Sequence, residues 1–188
     1  YSTGGVASCT NCPAGSFLPD DGVDALAHDS AEDCTTCSAG NWSSAGDATC
    51  TRCLPGTHLS DPGSADSEHD SIDDCLNCGL GKYSDSGDAE CSICPAGSYL
   101  TADNTNSYDH DHVTSCTSCA SGTHLSDDAL DPTEHMYAFQ CKLCQAGEYS
   151  LERSASCLLC PLGTFSPGTG VSACIACAAG TSTGNSVG

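Results

Sequence analysis

Large apolar side chains are sparse along this chain, and they recur at one position per repeat instead of following a helix or a strand. The short repeats read Gly-x-aromatic-Ser, beginning at Gly40, Gly81, Gly147 and Gly163. The long repeats read Gly-x-(aromatic or His)-Leu, beginning at Gly15, Gly56, Gly97 and Gly122. The segments between them keep neither a helical period nor a sustained alternation. We therefore predict short strand pairs near the cysteines and irregular loops elsewhere.

Composition adds that such a chain cannot build an ordinary core. Of its 188 residues 18 are cysteine, and only 5% are aromatic, which is typical of proteins held together by cross-links or metals. The predicted fold is small and disulfide-rich, mostly irregular with short β-strand pairs. It is expected to form an elongated linear repeat array, a rod with no central core.

The glycine and the aromatic of each short repeat define a small local unit. A glycine at the same place in every repeat implies a positive φ or the close approach of another backbone. The aromatic is the one large apolar group that recurs in the short repeats, as Trp42, Tyr83, Tyr149 and Phe165. We expect it to lie over the neighbouring disulfide as a miniature core.

The cysteines fall into nine Cys-x-x-Cys pairs, and the steps between successive pairs are 25, 16, 25, 16, 25, 25, 16 and 17 residues. Periods of this size indicate a linear array in which each unit contacts mainly its neighbours. The predicted divisions are 1–9 (the end of a truncated short repeat), 12–50 and 53–91 (a long plus a short loop each), 94–141 (two long loops), 144–174 (two short loops) and 177–188 (the start of a truncated repeat). The chain is expected to continue in both directions.

Two chemistries use Cys-x-x-Cys pairs at such spacings. In a disulfide array the second Cys of one pair bonds the first Cys of the next. This scheme predicts Cys12–Cys34, Cys37–Cys50, Cys53–Cys75, Cys78–Cys91, Cys94–Cys116, Cys119–Cys141, Cys144–Cys157 and Cys160–Cys174, and it leaves Cys9 and Cys177 to pair with missing flanking repeats.

Zinc ribbons are the alternative, with four thiolates from two pairs around each metal. Nine pairs cannot be grouped two by two, and only Cys78 has the glycine that zinc knuckles favour directly after the second Cys. Redox-active Cys-x-x-Cys sites are a further alternative, but they occur singly and not in ninefold arrays. We favour disulfides.

The formal net charge of −21 comes from 25 acidic and 4 basic residues. It argues against nucleic acid or an anionic membrane as a partner, and no apolar run approaches the ~18 residues that insert into a membrane. No cofactor is expected. Calcium at the loop carboxylates is an alternative, but the sequence has no EF-hand spacing, so a solvated acidic face is favoured.

A histidine stands sixteen residues after the second Cys of its pair in every long loop, as His28, His69, His110 and His135. These are weak candidates for metal binding or pH sensing, and local packing or hydrogen bonding within a loop turn is favoured. Asn41-Trp42-Ser43 is an N-glycosylation sequon, so Asn41 is a predicted glycosylation site. The sequence contains no nucleophile elbow, phosphate loop or catalytic constellation, so we do not expect an enzyme.

The Cys-Pro-x-Gly-x-aromatic motif appears at Cys12–Phe17, Cys94–Tyr99 and Cys160–Phe165. It resembles the first module of tumour necrosis factor receptor cysteine-rich repeats, and more closely the ephrin-receptor-like cysteine-rich repeats. The layout is also similar to that of ciliate surface immobilisation antigens. The resemblance implies an extracellular, cell-surface location and the bonding scheme above, although the further cysteines that complete a receptor repeat are missing.

The expected function is that of an extracellular structural protein, a subunit of a surface fibre, appendage or coat. The alternatives are a receptor or adhesion ectodomain that binds a protein ligand, and a protist surface antigen. The expected partners are further copies of the chain, other extracellular structural proteins and glycans.

Overall fold

The structure, a computed structural model, describes residues 1, 2, 4, 8–19, 24–103 and 105–182. Within these residues the secondary structure consists of antiparallel two-stranded hairpins and short 3₁₀ helices, with no α-helix. Eight hairpins follow one another along the described chain, and each pairs strands that are consecutive in sequence. The predicted class, a disulfide-rich fold of short strand pairs in linear repeats, is confirmed.

Each strand is two residues long. In chain order they are β1 Ser16–Phe17, β2 Thr35–Thr36, β3 Asn41–Trp42, β4 Thr51–Arg52, β5 Thr57–His58, β6 Leu76–Asn77, β7 Lys82–Tyr83, β8 Ser92–Ile93, β9 Ser98–Tyr99, β10 Thr117–Ser118, β11 Thr123–His124, β12 Lys142–Leu143, β13 Glu148–Tyr149, β14 Leu158–Leu159, β15 Thr164–Phe165 and β16 Ile175–Ala176. The odd-numbered strand of each hairpin pairs with the even-numbered strand that follows it.

The cysteine motif itself places the hairpins. The second strand of every hairpin is the x-x of a Cys-x-x-Cys, and the first strand follows the repeated glycine directly. In the first hairpin Ser16 is opposite Thr36 and Phe17 is opposite Thr35. Gly15 precedes this pair at φ +85, and its carbonyl accepts the Cys37 amide at 2.8 Å. A turn with positive φ, which glycine adopts without steric cost, therefore starts each repeat.

Each long loop also contains two 3₁₀ helices that the sequence analysis did not foresee. They span Ala25–Ala27, Ala31–Asp33, Asp66–Glu68, Ile72–Asp74, Ser107–His110, Val113–Ser115, Pro132–His135 and Ala138–Gln140. Some begin with a capping box that is visible in the sequence. For example, the Ser30 amide donates to Asp33 Oδ2 at 2.9 Å, while Ser30 Oγ accepts the Glu32 amide at 3.2 Å.

Eight disulfides close the loops, with Cα–Cα separations of 5.6–5.8 Å. They join the same cysteines as the sequence-based disulfide scheme, with sequence separations of 22 in the long loops and 13 or 14 in the short ones. Cys9, which is exposed, and Cys177, which is half-buried, are free thiols. Their pairing with flanking repeats stays a prediction.

The chain divides into two compact units. The first contains Tyr1–Cys78, Ser84–Cys91 and Thr105–His112, and the second contains Gly79–Tyr83, Ser92–Asn104 and Val113–Gly188. In each unit the buried apolar residues are disulfide cysteines and single leucines, Leu59 in the first and Leu100 and Leu125 in the second. Small clusters spaced along the chain therefore replace a central core.

One such cluster shows what the aromatic of a short repeat does. Cys94, Leu100 and Cys116 are buried together, and Tyr83 and Ala102 pack against them. The prediction that the aromatic lies over the neighbouring disulfide is confirmed at Tyr83. Among the described residues, no helix is both long and apolar enough to cross a bilayer.

Candidate functional site at the junctions between loops

The repeated glycine forms the first contact between consecutive loops. Its amide donates to the carbonyl of the Ser or Leu that follows the aromatic position in the next loop, at 2.8–3.2 Å. In the first unit these bonds are Gly15 to Ser43, Gly40 to Leu59 and Gly56 to Ser84, and in the second they are Gly81 to Leu100, Gly97 to Leu125, Gly122 to Ser150 and Gly147 to Ser166. We call each such contact a junction. The same main-chain bond therefore recurs at every junction that the structure describes.

The glycine has no room for a side chain at most junctions. Gly122 has φ +84, and a Cβ built on it would overlap the carbonyl oxygen of Gly170. Gly56 has φ +79, and its Cβ would overlap the carbonyl oxygen of Ser107. Both reasons inferred from the sequence, a positive φ and a close backbone approach, hold at these positions. Gly163 has φ +82, and no atom of the described residues lies within 4 Å of its built Cβ, so only the first reason is seen there.

A buried serine supplies the second contact wherever a short loop follows a long one. Ser43, Ser84 and Ser150 are completely buried. Their hydroxyls donate to the carbonyl of the first strand residue in the preceding long loop. The three pairs are Ser43 with Ser16 at 3.1 Å, Ser84 with Thr57 at 2.8 Å and Ser150 with Thr123 at 2.8 Å.

The Ser150→Ala variant is expected to lose about 1–3 kcal/mol of unfolding free energy, because the Thr123 carbonyl loses this hydroxyl donor in a buried place. Ser156→Ala is the matched control, since Ser156 is exposed in the same loop and its variant should change stability by less than about 0.5 kcal/mol. Denaturant unfolding of the oxidised chain measures both. Equal losses in the two variants would contradict a bonding role for Ser150.

In the long loops a histidine takes the place of this serine. His69 Nδ1 donates to the Asn41 carbonyl at 2.6 Å, and His135 Nδ1 donates to the Ser98 carbonyl at 2.8 Å. These acceptors are again the first strand residues of the preceding loop. Serine in short loops and histidine in long loops therefore bind the same backbone position, and loop length decides which side chain reaches it.

The histidine main chain adds a further bond to the preceding loop. The carbonyls of His69, His110 and His135 accept the amides of Ser43, Ser84 and Leu100 at 2.8–3.0 Å, and that of His28 accepts the Ser2 amide at 2.5 Å. His69, His110 and His135 are completely buried at the end of a 3₁₀ helix, and His28 is half-buried. The favoured interpretation of hydrogen bonding was right. The bonding is only partly local, because the Nδ1 acceptors of His69 and His135 lie 28 and 37 residues away in sequence, whereas Asp127, the Nε2 partner of His135, lies 8 residues away.

Two of these histidines also face an aspartate. His135 Nε2 lies 2.9 Å from Asp127 Oδ2, and His69 Nε2 lies 3.6 Å from Asp61 Oδ2. Each aspartate stands two residues after a buried leucine, Leu59 or Leu125, on the excursion of its own loop. The aspartate and the histidine at the end of the first 3₁₀ helix thus meet within one loop.

Main-chain and hydroxyl donors keep these carboxylates ionised. Hydrogen bonds from Ser64, first from its hydroxyl, lower the pKa of Asp61. The Asp131 amide is the main group that lowers the pKa of Asp127. The Thr133 hydroxyl is the main group that lowers the pKa of Asp131 itself. The hydrogen bonds of the folded loop therefore stabilise the ionised form of each of these three carboxyl groups.

The chain is expected to lose stability as the pH falls below about 4. A carboxyl whose pKa is lower in the folded state than the ordinary 3.8 stabilises the fold above that value and loses this effect as it is protonated. Denaturant unfolding at about pH 7 and about pH 3 measures the loss. The Asp127→Asn and Asp131→Asn double variant should show a shallower acid dependence. An unchanged acid dependence would contradict the assignment.

The four histidines do not form a metal centre together, since each lies in a different long loop. Across the described residues, the one group of three ligand atoms within 4.8 Å is His124, Cys144 and Cys157. Its two cysteines are joined to each other, and His124 Nδ1 lies 3.0 Å from Cys157 Sγ. Sequence reasoning missed this contact, although His124 occupies the aromatic position of its repeat.

The acidic side chains of one long loop line a cavity. It measures about 410 Å³ and is bordered by Asp61, Glu68, Asp73 and Asp74. No three of these carboxylates bring oxygen atoms within 4.8 Å of one another. Calcium, which takes 6–8 oxygen ligands, would therefore have to draw the side chains together.

Asn41 is half-buried on β3, and its side-chain amide donates to the Ala39 carbonyl at 2.9 Å and to Ser38. Ser43, the hydroxyl residue of the sequon, is completely buried. A glycosylated Nδ2 keeps one hydrogen and still has one donor for Ala39. Glycosylation of Asn41 stays a prediction.

A known family matches the C-terminal part of the chain, and two relatives match short stretches of it. Residues 147–187 match the family described as tyrosine-protein kinase ephrin type A/B receptor-like. The signal peptide, CUB and EGF-like domain-containing protein 2 of Mus musculus is 53% identical over 38 residues, which is 20% of this chain and 4% of the relative. Its Homo sapiens counterpart is 51% identical over 41 residues, 22% of this chain and 4% of the relative. The predicted resemblance to ephrin-receptor-like cysteine-rich repeats is confirmed over this stretch.

Proposed function

We propose that this extracellular cysteine-rich repeat protein, which carries an ephrin-receptor-like repeat over residues 147–187, is a structural subunit of a surface fibre, appendage or coat. The observation that carries the proposal is the use of its buried polar groups. The buried serines Ser43, Ser84 and Ser150 and the buried histidines His69 and His135 bond to the preceding loop, and the repeated glycines bond to the next one. In a chain built in this way, hydrogen bonds to the neighbouring repeats fix the position of each repeat.

The energetics suit such a role outside the cell. Disulfides persist in oxidising compartments, and each of the eight loops is stabilised by about 3 kcal/mol in the chain-entropy model. Stability then grows with the number of repeats and does not need a large apolar core. The names of the two relatives include a signal peptide, which supports secretion.

The charge disfavours some classes of partner. A net charge of −21 disfavours nucleic acid and anionic membranes. Further copies of the chain, other extracellular structural proteins and glycans are the partners we propose. No catalytic role is proposed.

Electron microscopy of surface material from the source cells, combined with cross-linking mass spectrometry, tests the proposal. Peptides of this chain should be recovered from filaments or coat, cross-linked to copies of itself or to other structural subunits. Removal of the protein should abolish or shorten the structure. A chain that is found only as a dispersed surface protein, with filaments and coat unaltered by its removal, would overturn the proposal.

A receptor or adhesion ectodomain is the second candidate, because the matching family is described as receptor-like. It requires saturable binding of one protein ligand to the isolated, oxidised chain. Surface plasmon resonance against the extracellular proteins of the same source measures this. Saturable binding together with absence from fibres and coat would favour the receptor.

We expect the secreted chain to carry one N-glycan at Asn41, since Asn41-Trp42-Ser43 is the one sequon in the sequence. Intact mass before and after enzymatic removal of N-glycans measures it, with Asn41→Gln as the control. An intact mass equal to the sequence mass would contradict this expectation.

A further inference from the structure

We propose that His69 and His135 are protonated on both ring nitrogens in the folded chain and act as pH-sensitive clasps between loops. Each ring lies between a backbone carbonyl of the preceding loop and a carboxylate of its own loop. A clasp is here the set of histidine ring, carbonyl and carboxylate, namely His69 with Asn41 and Asp61, and His135 with Ser98 and Asp127.

Counting hydrogens at His135 assigns the charge. The Ser98 carbonyl only accepts, so the 2.8 Å bond places a hydrogen on Nδ1. The Asp127 carboxylate is ionised and also only accepts, so the 2.9 Å bond places a second hydrogen on Nε2. A neutral imidazole has one N–H and satisfies one of these two acceptors. The geometry therefore assigns the imidazolium form.

At His69 the second proton is inferred from the carboxylate that the ring faces and not from a hydrogen bond. Its Nδ1 lies 2.6 Å from the Asn41 carbonyl, and its Nε2 is buried without a hydrogen-bond partner, 3.6 Å from Asp61 Oδ2. A neutral ring would point a lone pair at this carboxylate in a place that water does not reach. A second proton turns that repulsion into an ion pair.

Carboxylates face the Nε2 side of both rings. Asp127 contacts the His135 ring, and Asp131 lies within electrostatic reach of it, while the Nδ1 side faces the uncharged Ser98 carbonyl. Asp61 is the charged group facing His69, whose Nδ1 side meets the uncharged Asn41 carbonyl. Both surroundings are negative, which favours the doubly protonated ring.

The consequence is a stability window. A folded state that holds more protons than the unfolded chain loses stability as the pH rises. Raising the pH removes the Nε2 proton and opens the bond to the carboxylate, whereas strong acid protonates the carboxylate instead. Loss of either charge therefore frees the ring from the carboxylate of its own loop, while the Nδ1 bond to the preceding loop remains, so the ring is held from one side only.

The chain provides its own comparison in the loop of His110. Ala102 stands two residues after Leu100, where Asp61 and Asp127 follow Leu59 and Leu125. His110 is as buried as the other two, and its carbonyl makes the same bond to the preceding loop. At the aspartate position this loop has the methyl group of Ala102 instead of a carboxylate.

Long-range proton–nitrogen NMR on the labelled, oxidised chain tests the assignment without any substitution. At about pH 6.5, hydrogens should be present on both ring nitrogens of His69 and His135. A single neutral tautomer at either ring would overturn the proposal for that clasp.

Thermal unfolding between about pH 6 and about pH 9 gives the second test. The midpoint of the natural chain should fall by several degrees as the pH rises, and the Asp61→Asn and Asp127→Asn double variant should lose most of this dependence. An asparagine amide can donate to a neutral Nε2, so the variant does not need the second proton. An equal pH dependence in both proteins would overturn the proposal.

Discussion

Complete reduction of the disulfides is expected to unfold the whole chain, whereas a metal chelator leaves it folded. Each loop of 13 to 22 residues loses about 3 kcal/mol when its bond is cut. The apolar clusters consist largely of the same cysteines, so reduction also weakens the packing. Nothing that remains is large enough to offset the gain in chain entropy.

Circular dichroism and thermal unfolding, with a strong thiol reductant or with EDTA, measure this difference. Free thiols should number two before reduction, from Cys9 and Cys177, and eighteen afterwards. Unfolding by EDTA, or abundant free thiols in the folded chain, would restore the zinc alternative for the Cys-x-x-Cys pairs. Alkylation of Cys9 and Cys177 beforehand is the control, because it prevents disulfide exchange during the measurement.

The Gly122→Ala variant is expected to lose about 3 kcal/mol or more of unfolding free energy. An alanine Cβ would overlap the carbonyl oxygen of Gly170 and would lie 3.2 Å from its Cα, which are backbone atoms that cannot rotate away. Relief of the overlap moves Gly122, whose amide donates to Ser150 and whose carbonyl accepts the Cys144 amide. The φ of +84 adds about 1 kcal/mol of strain.

Gly163→Ala is the matched control for this loss. Gly163 occupies the same position of its repeat at φ +82, and none of the residues that the structure describes has an atom within 4 Å of its built Cβ. The control should therefore lose only the unfolding free energy that an alanine at positive φ costs, about 1 kcal/mol. Denaturant unfolding of the oxidised variants gives the free energies, and amide hydrogen exchange locates the opened junction. Equal losses at Gly122 and Gly163 would show that the space around Gly122 does not matter.

The cysteine spacing predicted more of the fold than any other feature. In each hairpin, the two residues between the cysteines of a Cys-x-x-Cys motif pair with the two residues that follow the repeated glycine. A disulfide between cysteines 13 to 22 residues apart closes each hairpin, so these contacts are local in sequence. The 3₁₀ helices were missed because three-residue helices leave no periodic pattern. The Ser30-x-x-Asp33 and Ser71-x-x-Asp74 capping boxes were the available signal.

The histidines show where the sequence alone was insufficient. Their regular spacing was visible, but their partners, Asn41 for His69 and Ser98 for His135, lie in other repeats. The sequence did contain a pattern that points to these partners, since a serine recurs in the short loops and a histidine in the long ones. Recognising it requires knowing that both side chains reach the same carbonyl position.

The sequence by itself determined the loop sizes, the hairpin positions and the need for cross-links, because these depend on residues close together in the chain and on the shortage of apolar side chains. Only the tertiary structure decided which loops meet at a junction, which glycines have no space for a Cβ and which carboxylate faces a histidine ring. Those contacts depend on how successive loops stack, and stacking brings together backbone atoms that no local pattern relates.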